Sequence, residues 1–257
     1  MISQIYEIQT PAEAELMISA GVDHIGSVIV SASDWKQEEI KQTLERVAET
    51  DAKSSLILLF NDPDLVFASL DYYRPDIVHF CEILIESPPD ALGRNIPAAG
   101  CSALIRLQKQ IKQKFPEIKI MRTIPLPDKN TANGIPYLEL AEMFAPVSDY
   151  FLTDTLLVSQ SGKSDQPVNG FVGITGKTCD WNSAARLVAA SEIPVILAGG
   201  LSSENVYEGI CAVRPAGADS CTLTNAFDAD GRPIRFKKDL AKVKKFVDQV
   251  YRASARL

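Results

Sequence analysis

Residues that commonly bind metals are scarce in this chain of 257 residues. Histidine occurs only twice, and the five cysteines, at positions 81, 101, 179, 211 and 221, show no C-x-x-C spacing. A zinc site normally needs four such ligands at characteristic spacings. We therefore expect no metal and no other cofactor, and we expect the cysteines to be reduced thiols, as in a cytosolic protein.

Long apolar runs and blocks of like charge are also missing. No stretch approaches the ~20 apolar residues that a membrane span requires. The first residues lack the basic and apolar regions of a signal peptide, so we expect a cytoplasmic location and no membrane partner. The net charge of −7, with both signs interspersed, argues against nucleic acid as a partner. We expect the short basic stretch 235–238 to be a solvated face beside the last helix.

The chain does contain an alternation of short β-rich runs and longer amphipathic stretches. Such alternation is typical of a parallel βα repeat, and about 250 residues suffice for eight units. We predict an α/β protein, a single (β/α)8 TIM barrel forming one domain over residues 1–257. The predicted strands are 4–8, 24–30, 55–60, 76–80, 118–124, 149–154, 194–198 and 218–223.

Capping residues indicate where several helices begin. Thr10 and Asp62 each precede a proline, which favours the first turn of a helix, and Ser202 is a candidate cap for the seventh helix. The last helix is predicted at about 237–253. Stretches 86–101 and 125–136 exceed a minimal connection, so we expect long loops at the carboxyl ends of strands, where barrel active sites lie.

Two glycine-containing segments indicate a phosphate site. The motif Leu197-Ala-Gly-Gly-Leu201 follows the seventh strand, and glycines let the backbone approach a ligand closely. Loops after strands seven and eight are the recurrent phosphate site of this fold, although the glycines could serve only a tight turn. A second segment, Gly173-Ile-Thr-Gly176, follows the sixth strand. The candidate phosphate-binding residues are Gly173, Thr175, Gly176, Gly199, Gly200, Thr222 and Thr224.

These segments resemble the phosphoribosylanthranilate isomerase family along nearly the whole chain. The resemblance is carried by Gly21-Val-Asp-His-Ile-Gly26, Phe151-Leu-Thr-Asp-Thr155, Thr175-Gly-Lys-Thr-Cys-Asp-Trp181 and the Leu-Ala-Gly-Gly-Leu motif with Glu204-Asn205 downstream. It implies a phosphorylated small-molecule substrate and an Amadori rearrangement of an aminoaldose to an aminoketose. That reaction needs an acid to open the ribose ring and a base to remove the C2 proton.

The resemblance implies that Asp154 is the acid, but the residue that serves as base in the family is replaced. The family's cysteine at the end of the first strand is Tyr6 here, and the following glycine is Glu7. Because side chains alternate along a strand, we expect Tyr6 to point into the barrel and Glu7 outward, unless the strand end twists. Tyrosine is a poor base at neutral pH, whereas a desolvated glutamate could serve if it reaches the substrate.

The family's contacts to the anthranilate carboxylate are replaced as well. Trp35 or Lys36 takes the place of an arginine expected after the second strand, and Lys36 could attract an anion without the bidentate fork of arginine. In the fourth strand, His79 and Cys81 replace other substrate-facing residues. We expect Arg122 to enter the barrel mouth, where a substrate anion or Asp154 would pair with its charge.

Three functions remain open from the sequence. The first is a divergent isomerase that acts on a phosphorylated sugar derivative by acid–base chemistry. The second is another phosphosugar isomerase, epimerase or lyase on the same barrel. The third is a protein that binds a phosphorylated metabolite without catalysis. A homodimer is possible in each case.

Overall fold

The computed structural model describes residues 1–86, 96–129, 134–157 and 165–257. Eight parallel strands form a closed barrel in chain order, which confirms the predicted (β/α)8 architecture. The strands are β1 (Ile2–Ile5), β2 (His24–Ile29), β3 (Lys53–Leu58), β4 (Ile77–Phe80), β5 (Lys119–Pro127), β6 (Tyr150–Leu156), β7 (Val195–Leu197) and β8 (Gly217–Ser220).

Helices cover the outside of the barrel. They are α1 (Pro11–Ser19), α2 (Glu38–Ala48), α3 (Pro63–Tyr73), α4 (Cys101–Lys114), α5 (Tyr137–Phe144), α6 (Trp181–Ala190), α7 (Val206–Val213) and α8 (Leu240–Ser254). Short 3-10 helices lie at Ala32–Asp34, Ala145–Val147 and Thr222–Thr224. No helix among the described residues is long and apolar enough to cross a membrane.

The predicted caps of α1 and α3 are confirmed. The side chain of Thr10 accepts a hydrogen bond from the Glu13 amide at 3.2 Å, and that of Asp62 accepts one from the Leu65 amide at 3.0 Å. The predicted start of the seventh helix at Ser202 is wrong. Asn205 accepts a hydrogen bond from the Ser202 amide and donates one to the Gly200 carbonyl, which closes a turn before α7 begins at Val206.

A hairpin between β8 and α8 differs from the prediction of a helix from 237. It consists of β9 (Asn225–Phe227) and β10 (Pro233–Lys238), which pair antiparallel. Helix α8 begins later because the Asp239 side chain accepts from two backbone amides at the helix start. The basic stretch 235–238 is therefore part of β10; Arg235 and Lys237 are exposed, as expected for a solvated face, while Arg235 and Lys238 also contact residues at the top of the barrel.

The barrel interior holds a polar network around an aromatic ring. Tyr6 packs against Gly26, where an added methyl group would lie 2.1 Å from a ring carbon of Tyr6. The Tyr6 hydroxyl lies 2.6 Å from the Ser55 hydroxyl and 2.8 Å from Nδ1 of His79, and the other ring nitrogen of His79 lies 2.7 Å from the Thr123 hydroxyl. Each of these polar side chains is buried with a partner, which fixes its position.

The expectation that Arg122 enters the barrel mouth is wrong. Its side chain is fully buried between the sheet and the helices, with Phe80 and Phe144 against its guanidinium. It forms an ion pair with Glu82 and donates two hydrogen bonds to the Gln108 side chain, at 2.9 and 2.6 Å. The reason is register: Arg122 pairs with Phe80 of β4 on the outward-facing side of the strand, where Glu82 supplies the opposite charge.

This buried pair allows a test of stability. We expect Glu82→Gln to lower the free energy of unfolding by about 3–5 kcal/mol, because it leaves a guanidinium buried without a counter-charge. Urea denaturation measures the loss. The double variant Glu82→Gln/Arg122→Met removes both charges and is expected to recover most of the loss, and a double variant as unstable as the single one would contradict the assignment.

Candidate active site

Two adjoining cavities lie at the carboxyl ends of the strands. The first, here called the apolar cavity, encloses about 570 Å³ between protein atoms, part of it open to solvent. Its lining residues are Tyr6, Glu7, Val28, Ile57, Leu59, His79, Cys81, Thr123, Leu152, Asp154, Val168, Phe171, Val172, Gly173, Ile174, Asp219 and Cys221.

The second cavity, here called the glycine cavity, has a volume of about 310 Å³. Its lining residues are Asp154, Ile174, Thr175, Gly176, Gly199, Gly200, Leu201, Asp219, Ser220, Cys221, Thr222 and Leu223. Asp154 and Asp219 belong to both sets, so the two carboxyl groups lie where the cavities meet.

The close packing of three loops explains the two glycines after β7. Gly199 and Gly200 have φ values of 92° and 59°, in the left-handed region that favours glycine. A methyl group on Gly200 would lie 2.6 Å from backbone atoms of Lys177 and Thr178 in the loop after β6. The glycines therefore bring the loops after β6 and β7 together beside the 3-10 helix Thr222–Thr224.

Five of the seven candidate phosphate-binding residues line the glycine cavity. They are Thr175, Gly176, Gly199, Gly200 and Thr222. Gly173 lines the apolar cavity instead, and a methyl group there would lie 2.9 Å from the Asp154 carboxylate. Thr224 is buried and donates to the Cys221 carbonyl at 2.9 Å. Its hydroxyl thus closes the turn after β8 rather than facing the cavity, which corrects its expected role.

Burial raises the pKa values of both carboxyl groups shared by the cavities. Desolvation raises the pKa of Asp154 to about 6, although the Thr155 amide donates to its carboxylate at 2.7 Å. Desolvation is the main cause that raises the pKa of Asp219 to about 7, and the negative charge of Asp154 also raises this pKa. A hydrogen bond of 3.1 Å from the Gln4 side chain acts in the opposite direction. The two groups therefore exchange protons near neutral pH.

Asp219 was not predicted as a site residue because it lies within a strand of four residues and belongs to neither of the glycine-containing segments. The sequence did contain a signal. Asp219 is a carboxylate between two small residues, Ala218 and Ser220, in the strand that leads into the loop of the recurrent phosphate site. A charged residue in such a strand must find a partner inside the barrel or face a ligand.

Tyr6 and Glu7 both reach the apolar cavity, so the expectation that Glu7 points outward is wrong. Glu7 has a φ of 65°, in the left-handed region, and its carboxylate contacts the hairpin residues Asn225 and Arg235. The Tyr6 pKa lies well above its ordinary value, chiefly because the hydroxyl is desolvated, so this group is not a base near neutral pH.

The hairpin holds Glu7 in place. Arg235 donates to its carboxylate at 2.6 Å and Asn225 donates at 3.3 Å. Burial would raise the pKa of Glu7, but the charges of Lys238 and Arg235 and these hydrogen bonds lower it below its ordinary value. An ion-paired carboxylate of lowered pKa is a weak base, so Glu7 is better suited to anchoring the hairpin than to proton transfer.

The remaining candidates divide between the cavity and the outside. His79 and Cys81 line the apolar cavity. Burial lowers the pKa of His79 to about 3, which leaves the ring neutral. Lys36 lies outside the barrel with its ammonium group 4.7 Å from the centre of the Tyr72 ring. The expectation that Lys36 contacts substrate is therefore wrong, because the segment after β2 turns outward into the 3-10 helix Ala32–Asp34.

The fold and these cavities define a (β/α)8 barrel with its site at the carboxyl ends of the strands. Residues 108–249 match the family model of N-(5'-phosphoribosyl)anthranilate (PRA) isomerase. The chain therefore belongs to the phosphoribosylanthranilate isomerase family.

A relative of similar length agrees with this placement, and solved structures share the fold. The isomerase of Methanocella arvoryzae is 27% identical over 244 residues, which are 94% of this chain and 93% of that protein. The Thermotoga maritima enzyme has a TM-score of 0.64 and 19% identity over 98% of this chain and 99% of its own. Another structure of a phosphoribosyl anthranilate isomerase, with a TM-score of 0.62 and 17% identity over 98% and 99% of the two chains, contains reduced 1-(o-carboxyphenylamino)-1-deoxyribulose 5-phosphate.

The raised pKa of Asp219 predicts a pH-dependent effect on stability. Its folded pKa of about 7 exceeds the ordinary value of 3.8, so the stability that this group contributes at low pH is lost as the pH rises from about 4 to 7. We expect Asp219→Asn to have a free energy of unfolding about 2–4 kcal/mol higher than the wild type at pH 8. We expect this difference to vanish near pH 4.

Urea titrations at the two pH values measure this difference. Asp64→Asn, at an exposed position in α3, is the control and is expected to change stability by less than about 0.5 kcal/mol at either pH. A variant at position 219 that is less stable than the wild type at pH 8 would show that the carboxylate is stabilised, not desolvated.

Proposed function

We propose that this protein is a divergent isomerase that converts a phosphorylated glycosylamine into the corresponding aminoketose phosphate. The observation that supports this most strongly is the pair of desolvated carboxyl groups, Asp154 and Asp219, between the glycine cavity and the apolar cavity. An aldose–ketose isomerisation needs one proton donor and one proton acceptor, and two groups with pKa values near neutrality provide both.

We assign the substrate phosphate to the glycine cavity. The backbone of Gly176, Gly199 and Gly200 lines this cavity, and glycines let the backbone approach an anion closely. The hydroxyls of Thr175 and Thr222 can donate hydrogen bonds to the anion. This position places the sugar across Asp154 and Asp219, with its nitrogen substituent in the apolar cavity.

The reaction then needs only proton transfers. Asp154, protonated, donates to the ring oxygen, and the ring opens to an iminium. Asp219, ionised, removes the proton from C2, which gives an enaminol. A proton returns to C1 as the enaminol becomes the ketone, so atoms balance and no redox partner is needed. Asp219 thus takes the role of the base that the family carries at the end of the first strand. The reaction can then proceed although Tyr6 occupies that position.

Removal of either carboxylate should reveal these roles. We expect Asp154→Asn and Asp219→Asn each to lower kcat/KM by about 10²–10⁴ with a phosphorylated glycosylamine formed from ribose 5-phosphate and an aromatic amine. Glu7→Gln is the comparison and is expected to lose less activity than either. A loss confined to Glu7→Gln would assign the base to Glu7 and reject Asp219.

The pH profile gives a second readout on the same enzyme. The free enzyme holds a single proton on the two carboxyl groups between pH values of about 6 and 7, mostly on Asp219, whose pKa is the higher of the two, so the reactive form with the proton on Asp154 is the minor one. We therefore expect a bell-shaped profile of kcat/KM with its maximum near pH 6.5, and loss of one limb in any residual activity of Asp219→Asn. A flat profile between pH 5 and 8 would contradict the assignment.

The other two functions from the sequence give different results in these assays. Turnover of simple sugar phosphates, with none of the glycosylamine, would indicate another phosphosugar enzyme on this barrel. Stabilisation by sugar phosphates without turnover of any of them would indicate a binding protein.

A further inference from the structure

We propose that the apolar cavity selects an uncharged, apolar substituent on the sugar nitrogen and discriminates against one that bears a carboxylate. The inference rests on the proposed function, because that function places the nitrogen substituent in this cavity. It names the class of substrate: a 5-phosphoribosylamine whose amine part is apolar and carries no charge.

Aliphatic and aromatic side chains form much of the lining of this cavity. Val28 of β2, Ile57 of β3 and Leu59 after β3 line one side, and Phe171 and Ile174 from the loop after β6 line the other. Burial of apolar surface in such a cavity is favourable by roughly 25 cal/mol per Å². An aromatic or aliphatic group would therefore be held between these two sides.

The polar groups in the same wall are neutral. The ring of His79 is uncharged near neutral pH because burial lowers its pKa to about 3. The Cys81 thiol and the Tyr6 hydroxyl are protonated because burial raises the pKa of each. These groups can orient a ligand by hydrogen bonds, but they offer no positive charge to compensate an anion.

The ionisable acidic residues that line the cavity are carboxylates. Glu7, Asp154 and Asp219 all line it. A ligand carboxylate placed there would lose its water shell and face groups of its own sign, which is costly in a desolvated site. The electrostatic character of the cavity therefore opposes an anion in the same place where its walls favour an apolar group.

Four cations close to the barrel in sequence or space are held by other groups. Arg122 is paired with Glu82 behind the sheet, and Lys36 packs on Tyr72 outside the barrel. Arg235 is paired with Glu7, and the Lys238 ammonium donates to the Cys221 carbonyl and to the Asn225 side chain. None of the four is among the residues that line the cavity.

A matched pair of ligands tests the inference. One is reduced 1-(o-carboxyphenylamino)-1-deoxyribulose 5-phosphate, and the other is the same molecule without the carboxyl group. We expect isothermal titration calorimetry of the wild-type protein to give at least a tenfold lower Kd for the ligand without the carboxyl group. Tighter binding of the carboxylated ligand would overturn the inference while supporting the proposed function, and binding of neither ligand would overturn both.

A charge introduced into the wall should reverse the preference. We expect Leu59→Arg to shift the ratio of the two Kd values at least tenfold toward the carboxylated ligand, since it supplies the missing cation. Leu59→Gln, of similar length and without charge, should not produce this shift. Lys36→Ala should leave both Kd values unchanged, and selective weakening of the carboxylated ligand by that variant would show that Lys36 reaches the site and would overturn the inference.

Discussion

Removal of two carboxyl groups from water is the constraint around which this barrel mouth is arranged. Asp154 and Asp219 belong to strands separated in the sheet by β7 alone, and the glycine-containing loops enclose them. Each ionisation costs more here than in water, so both groups exchange protons near neutral pH. The same enclosure that costs stability supplies the proposed acid–base pair, as is common where function and stability conflict.

The sequence was sufficient for features that depend on local patterns. Strand and helix alternation predicted the barrel, and the pair at Gly199 and Gly200 predicted the cavity after β7, because strand burial and positive φ leave direct marks on residue type. It was insufficient for Arg122, whose partner Glu82 lies 40 positions earlier. Whether a charged side chain faces the mouth or the helices depends on strand register, and residue type does not reveal that register.

Asp219 and Glu7 show a second limit of sequence reasoning. Asp219 occurs in a strand of four residues, too short for alternation to indicate which face it occupies. Glu7 adopts a backbone conformation unusual for glutamate because distant residues compensate for it. Tyr6 is similar: its large ring fits because Gly26 on the neighbouring strand has no side chain, and its hydroxyl joins a network with Ser55 and His79.

The contact between Glu7 and Arg235 joins residues 228 positions apart. During synthesis from the N-terminus, the first strand leaves the ribosome long before the hairpin exists, and Glu7 meanwhile has no cation to neutralise it. The mouth of the barrel can therefore acquire its final shape only after nearly the entire chain has emerged. A product truncated before the hairpin also lacks α8, which packs into the core beside β1, and it presents an unfinished binding surface, so ligand binding would report on the presence of the hairpin as well as on folding.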